Sequence, residues 1–207
     1  MLETRHTPLL TAATDGFTIC PASKAKAHDL ANLAVMASDG LCLTAWDDLR
    51  TGDETALDIG TARVARTSGT FSYRNADIAM RRQKTISAII SYPIHPEVHP
   101  PVLADVPPVF QPFAILEHEA GRSWYINFLA TYPEARGGGV AAALLKAVEQ
   151  RAKDEGYMVL SLIVGDTNPA RRLYRRFGFQ DAGSLAVAKS KHDIRYAHWV
   201  LMKKNIN

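Results

Sequence analysis

The first part of the chain shows mainly helical spacing of its apolar residues. A short strand is expected at Phe17–Cys20, and a helix capped by Ser23 follows, with apolar residues at helical spacing: Ala27, Leu30, Leu33, Ala34 and Ala37. Ser38-Asp39-Gly40 interrupts this pattern, and a second helical stretch runs from Leu41 to about Leu49. Residues 51–58 are polar, and we expect a loop there.

Between residues 71 and 94 the period changes to two. Apolar side chains alternate on both sides of a polar tip at Arg81–Lys84, which predicts two strands joined by a turn. Residues 93–112 then hold seven prolines: Pro93, Pro96, Pro100, Pro101, Pro107, Pro108 and Pro112. Proline fixes φ and lacks an N–H donor, so neither a helix nor a central strand is expected. We predict a long loop over a site, with an interdomain linker as the alternative.

The C-terminal half has a more regular pattern. It predicts a strand at Trp124–Thr131, a helix at Gly138–Glu155 and a buried strand at Tyr157–Val164. Asn168-Pro169 opens a further helix that ends at Gly178. Two closing strands are expected at residues 181–188 and 194–202, turned at 189–193. This order indicates a mixed α/β sheet in a single domain of residues 1–207, with a core from about 17 to 203.

Composition narrows the class of protein. Apolar residues make up 47% and charged residues 22% of the 207, which is ordinary for a soluble globular protein. The net charge of +3 is too small to favour nucleic-acid binding. Cys20 and Cys42 do not form a disulfide framework, and we expect reduced thiols in the cytoplasm. The pattern predicts no metal site, signal peptide or membrane span.

The stretch from Arg136 to Ala141, with three consecutive glycines, lies between a predicted strand and a predicted helix. Glycines let the backbone turn tightly and approach a ligand, and the first N–H groups of a helix are unpaired. Such a helix start attracts anions, and Arg136 adds a fixed positive charge. The stretch therefore predicts a phosphate-binding turn.

Three other interpretations of this turn are open. A Walker loop needs Gly-Lys-Ser/Thr, which does not follow Gly139. A dinucleotide fingerprint fits Gly137, Gly139 and Ala142 in relaxed form, with Asp166 as the ribose-binding acid. Only about 40 residues follow Asp166, however, which is too few for a doubly wound sheet. The third interpretation is a tight turn without a ligand.

The stretch from Leu129 to Ala141, followed by Leu144-Leu145, resembles the pyrophosphate motif of the GNAT superfamily of acyl-CoA-dependent N-acyltransferases. The stretch from Asn168 to Phe179 is similar to the family's next helix. Two motifs in the family's order imply its fold, a mixed and mostly antiparallel sheet flanked by helices. Residues 124–127 and 198–202 suggest an uncharacterised, bacterial-type subgroup.

The resemblance implies roles for individual residues. The cofactor is acetyl-CoA, used as a co-substrate without a metal. Tyr174 is the expected general acid, which protonates the departing thiolate. The cofactor-binding residues are the strand edge that pairs with the pantetheine arm, the turn that holds the pyrophosphate, and part of the later helix: Leu129, Ala130, Thr131, Arg136, Gly137, Gly138, Gly139, Val140, Ala141, Asn168, Ala170 and Arg171.

The general base is not assigned by the motifs. Many family members have a glutamate near the end of the fourth strand, where this chain has Asn127 and Phe128. An alkyl ammonium must lose a proton before it can attack, which costs roughly 4 kcal/mol at pH 7. Glu117, His118 and Glu119, expected on or before the strand, are the nearest candidates, and a water relay to solvent is the alternative.

The predicted function is acetyl transfer from acetyl-CoA to a primary amine by direct attack. A non-catalytic acyl-CoA-binding sensor or interaction module is the alternative. We expect a small-molecule or peptide amine as the acceptor and leave a homodimer open. Nucleic acid and membrane are not expected as partners. Residues 38–58 carry six acids against Arg50, which favours a polycationic acceptor: Asp39, Asp47, Asp48, Asp53, Glu54 and Asp58.

Overall fold

The computed structural model describes residues 16–95, 101–188 and 194–207. The strands are β1 (Thr18–Pro21), β2 (Ala76–Arg81), β3 (Lys84–Ile94), β4 (Ser123–Thr131), β5 (Val159–Gly165), β6 (Gln180–Ala186) and β7 (His198–Asn205). The helices are α1 (Ala27–Ala37), α2 (Leu41–Asp47), α3 (Ala56–Val64), α4 (Gln111–Ala120), α5 (Val140–Asp154) and α6 (Arg171–Arg176). No helix among these is both long and apolar enough to cross a membrane.

The strands form one seven-stranded sheet in the order β1-β2-β3-β4-β5-β7-β6. Strands β4 and β5 run parallel, with Trp124 opposite Leu160. The pairs β1–β2, β2–β3, β5–β7 and β6–β7 are antiparallel. The prediction of a mixed, mostly antiparallel sheet with helices is therefore confirmed.

The described residues fall into two compact units, of which the first comprises residues 16–90 and 128–147. In this unit α1 packs against α3 and α2. Helix α1 buries Leu30, Leu33 and Ala34, the apolar face that its sequence period predicts. Strands β2 and β3 form the predicted hairpin, and Arg82 and Gln83 at its tip both have positive φ, of 48° and 65°. Two left-handed residues in succession are typical of the two-residue turns that match strand twist.

The second unit comprises the described residues of 91–127 and 148–207. Helix α4 packs against β5, β6 and β7. Strand β5 is apolar on both faces and lies between two other strands of the sheet, as its continuous hydrophobic run predicts. The buried hydroxyl groups of Ser123 and Ser161 form a hydrogen bond 2.7 Å long inside this unit.

Two predictions for the helical region were wrong in part. Residues 51–58 do not all form a loop, because α3 begins at Ala56. The Thr55 hydroxyl accepts from the Asp58 N–H, and the Asp58 carboxylate accepts from the Thr55 N–H, which is a capping box. Ser23 makes no side-chain cap, and a 3-10 turn at Lys24–Lys26 precedes α1 instead.

The proline-rich segment is more ordered than predicted. Strand β3 continues through Pro93 to Ile94, and α4 begins at Gln111 with Pro112 in its first turn. Proline is tolerated there because the N–H it lacks would have no partner inside the helix. Pro96 and Pro100 lie outside the described residues. Glu117, His118 and Glu119 lie before β4, as expected, but they belong to helix α4.

The elements predicted after residue 123 are confirmed with shifted ends. Helix α5 begins at Val140 instead of Gly138, and the ordered part of the last helix begins at Arg171. The Asn168 Oδ1 atom accepts from the Ala170 N–H at 2.8 Å, and so caps the turn that precedes α6. The turn predicted at residues 189–193 falls outside the described residues.

Candidate active site

The glycine turn of the first unit has an open backbone. A 3-10 turn at Pro133–Ala135 leads from β4 into it, and the Ala143 N–H donates to the Gly139 carbonyl where α5 begins. Gly137 and Gly139 have φ of 80° and 74°, a region that residues with a Cβ rarely adopt. A Cβ built at either position would meet nothing within 4 Å. The turn can therefore receive a ligand against its backbone.

Two guanidinium groups lie at this turn. Arg136 is exposed, and its Nε donates to the Thr131 carbonyl at 3.1 Å, which ties the turn to the end of β4. The Nη2 atom of Arg81, at the end of β2, would lie 3.9 Å from a Cβ built at Gly138. No sequence signal pointed to Arg81, because the hairpin and the turn are far apart in the chain. The helix start and the two cations together favour an anion.

The end of β4 is held by the neighbouring strand. The Ser87 hydroxyl donates to the Ala130 carbonyl at 2.7 Å and lies 2.8 Å from the Thr131 hydroxyl. The Tyr132 N–H donates to the Ile86 carbonyl at 3.0 Å. Leu129, Ala130 and Thr131 are therefore brought together with Arg136 and the turn, and the residues of 129–141 form one continuous candidate binding segment.

Tyr174 lies on α6 in the second unit. Its side chain is buried, and its ring packs edge-on against Phe179 with centroids 5.9 Å apart. Burial raises the pKa of the Tyr174 hydroxyl to about 12. The hydroxyl therefore stays protonated over the whole physiological range and is available to donate a hydrogen bond or a proton.

The turn before α6 fixes the remaining predicted residues. The Asn168 Nδ2 donates to the Tyr196 hydroxyl at 2.8 Å, while its Oδ1 bonds the Ala170 N–H. The Tyr196 ring lies on Gly165, where a Cβ would come within 2.3 Å of it. Asn168 and Ala170 are thereby held in one rigid turn. This clamp is long-range, and the sequence alone did not indicate it.

The arginines of α6 are engaged by an acid that the sequence analysis did not consider. The Arg171 guanidinium donates to the Asp166 carbonyl and forms an ion pair with the Asp181 carboxylate. Arg175 forms a second ion pair with the Asp181 carboxylate at 3.2 Å. The hydrogen bond from Arg171 holds the pKa of Asp181 below its usual range. Arg171 therefore joins the turn after β5 to β6.

The candidate bases differ in their surroundings. The Asn127 Nδ2 donates to the Tyr92 hydroxyl at 3.2 Å, and neither Asn127 nor the buried ring of Phe128 can take a proton. Glu117 is half-buried and accepts a hydrogen bond from the buried Tyr125 hydroxyl. Burial raises the pKa of the Glu117 carboxyl above its usual value.

The acidic residues of 38–58 are partly engaged with neighbours. Asp47 pairs with Arg50 at 3.0 Å, and Asp58 caps α3 through Thr55. Trp46 on α2 is buried, and a Cβ at Gly60 would come within 2.2 Å of its ring, so this side chain is not available as an exposed contact surface. Within the described ranges, no group of three or more His, Cys, Asp or Glu side chains could hold a metal ion.

Comparisons with known proteins agree with this geometry. A family model described as "Acetyltransferase (GNAT) family" matches residues 83–179. A thialysine N-epsilon-acetyltransferase of Bos taurus is 36% identical over 77 residues, which are 37% of this chain and 44% of that protein. The match thus spans less than half the length of this relative.

Solved structures support the same fold. A mosquito arylalkylamine N-acetyltransferase like 5b superposes with a TM-score of 0.66 at 16% identity, over 91% of this chain and 99% of that one. A Drosophila melanogaster polyamine N-acetyltransferase, described as forming N-acetylagmatine, gives 0.63 at 14% identity with the same shares. At such identities the likeness concerns the fold. Residues 83–179, which include the glycine turn and Tyr174, match the acetyltransferase (GNAT) family model, and the fold agrees with that of these N-acetyltransferase structures.

Proposed function

We propose that the protein transfers an acetyl group from acetyl-CoA to a primary amine by direct attack of the amine on the thioester. The observation that carries this proposal is the open turn of residues 137–139 at the start of α5, inside the segment that matches the family. An exposed, cationic helix start suits a pyrophosphate and serves no evident packing purpose. We also propose a single catalytic domain and, because Cys20 and Cys42 are free thiols, a cytoplasmic location.

The proposed cofactor site uses the residues that the family motifs indicate. The backbone of residues 137–141 binds the pyrophosphate, with charge from Arg136 and Arg81. The β4 segment Leu129, Ala130 and Thr131 takes the pantetheine arm. Asn168 and Ala170 line the arm. Because Arg171 is already held by two partners, we propose that it serves the cofactor by fixing the turn that carries these two residues.

The chemistry follows from the charges that develop. The amine nitrogen bonds to the thioester carbon, whose oxygen becomes an oxyanion that a backbone N–H of β4 can stabilise. The carbon–sulfur bond then breaks, and the departing thiolate receives a hydrogen bond and a proton from Tyr174. The nitrogen loses one proton before it attacks and a second as the amide forms. One of these two protons replaces the proton that Tyr174 gives to the thiolate, and the other goes to solvent, so the net products from an ammonium substrate are the amide, CoA and one proton.

We propose a small primary amine with a second positive charge as the acceptor. Two of the proteins named above are described as acetyltransferases of thialysine and of polyamines, which are amines with a second charged group. Exposed Asp53 and Glu54 in the 38–58 region would attract such a cation, and salt would weaken that attraction. Acceptor KM should therefore rise with ionic strength for dicationic amines and stay constant for neutral-tailed ones.

The second candidate function is an acyl-CoA-binding sensor without turnover. The observation in its favour is that Asn127 and Phe128 occupy the position where many family members have a glutamate that acts as the general base. A sensor should bind CoA with a measurable affinity and release no thiol with any amine.

One assay tests both functions. Thiol release from acetyl-CoA is followed over a panel of mono- and dicationic amines, with calorimetry for CoA binding beside it. Turnover at a rate typical of enzymes, about 1–10³ s⁻¹, supports the acetyltransferase. Binding without turnover supports the sensor, and absence of CoA binding by the folded protein refutes both.

A further inference from the structure

A line of three aromatic rings reaches β4 within the first unit. The ring centroids of Trp46 on α2 and Phe71 lie 6.0 Å apart, and those of Phe71 and Phe128 on β4 lie 6.5 Å apart. Trp46 and Phe128 are buried, with 5% and 8% of their surface exposed, whereas Phe71 is half-buried. Phe71 is therefore the ring of this line that keeps the most accessible surface beside β4.

The loop between α3 and β2 that carries Phe71 is held by its own hydrogen bonds. The buried Ser72 hydroxyl donates to the Arg66 carbonyl at 2.5 Å. The Asn75 Nδ2 atom donates to the Thr70 carbonyl at 2.9 Å. Because the backbone around Phe71 is constrained and its ring leans on a buried indole, the ring has little freedom to move aside.

The proposed cofactor site sets the direction in which the acyl group points. Its pyrophosphate is assigned to the turn at residues 137–141 and its pantetheine arm to residues 129–131 of β4, all within the first unit. The arm thus extends from the turn back toward the start of the strand, where three residues span about 10 Å. The acyl end of the cofactor then lies at the beginning of this segment, next to Phe128 and to the Phe71 ring that packs on it.

We propose that Phe71 restricts the transferred acyl group to a short chain and so makes acetyl the preferred one; this inference rests on the function proposed above. The methyl group of an acetyl thioester needs little room beside Phe128. A butyryl chain carries two further carbon atoms, which would have to enter the space that the Phe71 ring fills. Closely packed rings do not take up such a volume without a shift. Phe71 takes no part in bond making, and the covalent steps stay as described above.

The test compares Phe71→Ala with Tyr73→Ala, which shortens another half-buried aromatic side chain of the same loop. For the wild type, kcat/KM with butyryl-CoA should be at least about 10-fold lower than with acetyl-CoA, because a single methylene in an apolar pocket is already worth about 10–200-fold. Phe71→Ala should bring the two values to within about threefold of each other, whereas Tyr73→Ala should keep the wild-type ratio. Both variants should bind CoA, which has no acyl group, with wild-type affinity.

The ratio of the two substrates is a readout that a loss of stability would not move, because the same folded fraction of the protein turns over both. Phe71→Leu, which keeps an apolar but smaller side chain, carries the test if Phe71→Ala does not fold, and its ratio should also fall below that of the wild type. Wild-type protein that uses butyryl-CoA as well as acetyl-CoA, or a Phe71 variant with the ratio of Tyr73→Ala, overturns the inference. Wild-type protein that binds no CoA, or that releases no thiol from either substrate, instead overturns the proposed function.

Discussion

The sharpest prediction concerns the hydroxyl of Tyr174. Burial raises its pKa to about 12, whereas a thiol such as that of CoA has a pKa of ~8.5. The difference of ~3.5 units means that complete proton transfer to a free thiolate is unfavourable by about 5 kcal/mol. We therefore expect Tyr174 to act mainly as a hydrogen-bond donor to the sulfur while the carbon–sulfur bond breaks, so that its role as general acid lies in the transition state.

The size of the effect follows from this role. A hydrogen bond to a charged group contributes about 1.5–3 kcal/mol, so Tyr174→Phe should lower kcat by roughly 10- to 150-fold. The KM for acetyl-CoA should stay within a few fold, because the interaction develops in the transition state. The matched control is Tyr157→Phe, which removes a buried hydroxyl that bonds to His95 at 2.7 Å.

Steady-state thiol release between pH 6 and 10 measures the effect. The Tyr174 hydroxyl stays neutral up to about pH 12, so its ionisation should not lower the wild-type kcat between pH 6 and 10. The wild-type and Tyr174→Phe profiles should therefore have the same shape at their alkaline ends. Single-turnover experiments establish that chemistry limits the rate. A Tyr174→Phe variant that keeps more than half of the wild-type single-turnover rate would remove this residue from the mechanism.

Four further outcomes are expected. Gly139→Glu should abolish CoA binding in calorimetry, because a carboxylate would enter the anion site and strain a backbone with φ of 74°; a folded mutant with unchanged affinity refutes the phosphate turn. Arg81→Ala should weaken CoA binding about fivefold at low salt and leave the affinity for pantetheine unchanged. The control Arg82→Asn, which suits the left-handed tip, should change neither affinity, and equal effects of the two variants would show that Arg81 has no local role. Gly60→Ala should lower the free energy of unfolding by about 1–3 kcal/mol in urea, although Ala is usually favoured in helices, because its Cβ would lie 2.2 Å from the Trp46 ring; a neutral or stabilising result contradicts this packing. Tyr174 is neutral in the folded state up to about pH 12 and ionises near pH 10 when unfolded. Its contribution of about 3 kcal/mol to the free energy of unfolding is therefore complete below pH 10 and is lost as the pH rises to 12. The stability of Tyr174→Phe should fall less steeply with pH in this range.

Part of the candidate site could be predicted because it is encoded locally. The glycines at 137 and 139 adopt the left-handed conformation that their residue type permits, and the helix that follows begins within two residues of its predicted start. The hairpin tip was placed correctly at residues 81–84 by the change of period. Such features depend on neighbours a few positions away, so the chain displays them before any tertiary contact forms.

Other local signals were present and overlooked. Thr55 and Asp58 stand at the spacing of a capping box, yet the polarity of residues 51–58 suggested a loop. Prolines in the 93–112 segment suggested that no helix could begin there, although Pro112 occupies the one helical turn that tolerates it. In both segments, the position of one residue relative to the start of the helix predicts the structure better than the overall composition of the segment does.

The sequence by itself determined the β2–β3 hairpin, the glycine turn between β4 and α5, and the helix that carries Tyr174, since each follows from residue types within one short window. Only the tertiary structure distinguished Glu117 from His118 and Glu119, because burial and the hydrogen bond from Tyr125 depend on how α4 packs against the sheet. The same holds for Arg81, which reaches Gly138 across many residues of chain. Proton affinity and local charge are set by neighbours in space, and a periodic pattern along the chain carries no information about which distant side chains those are.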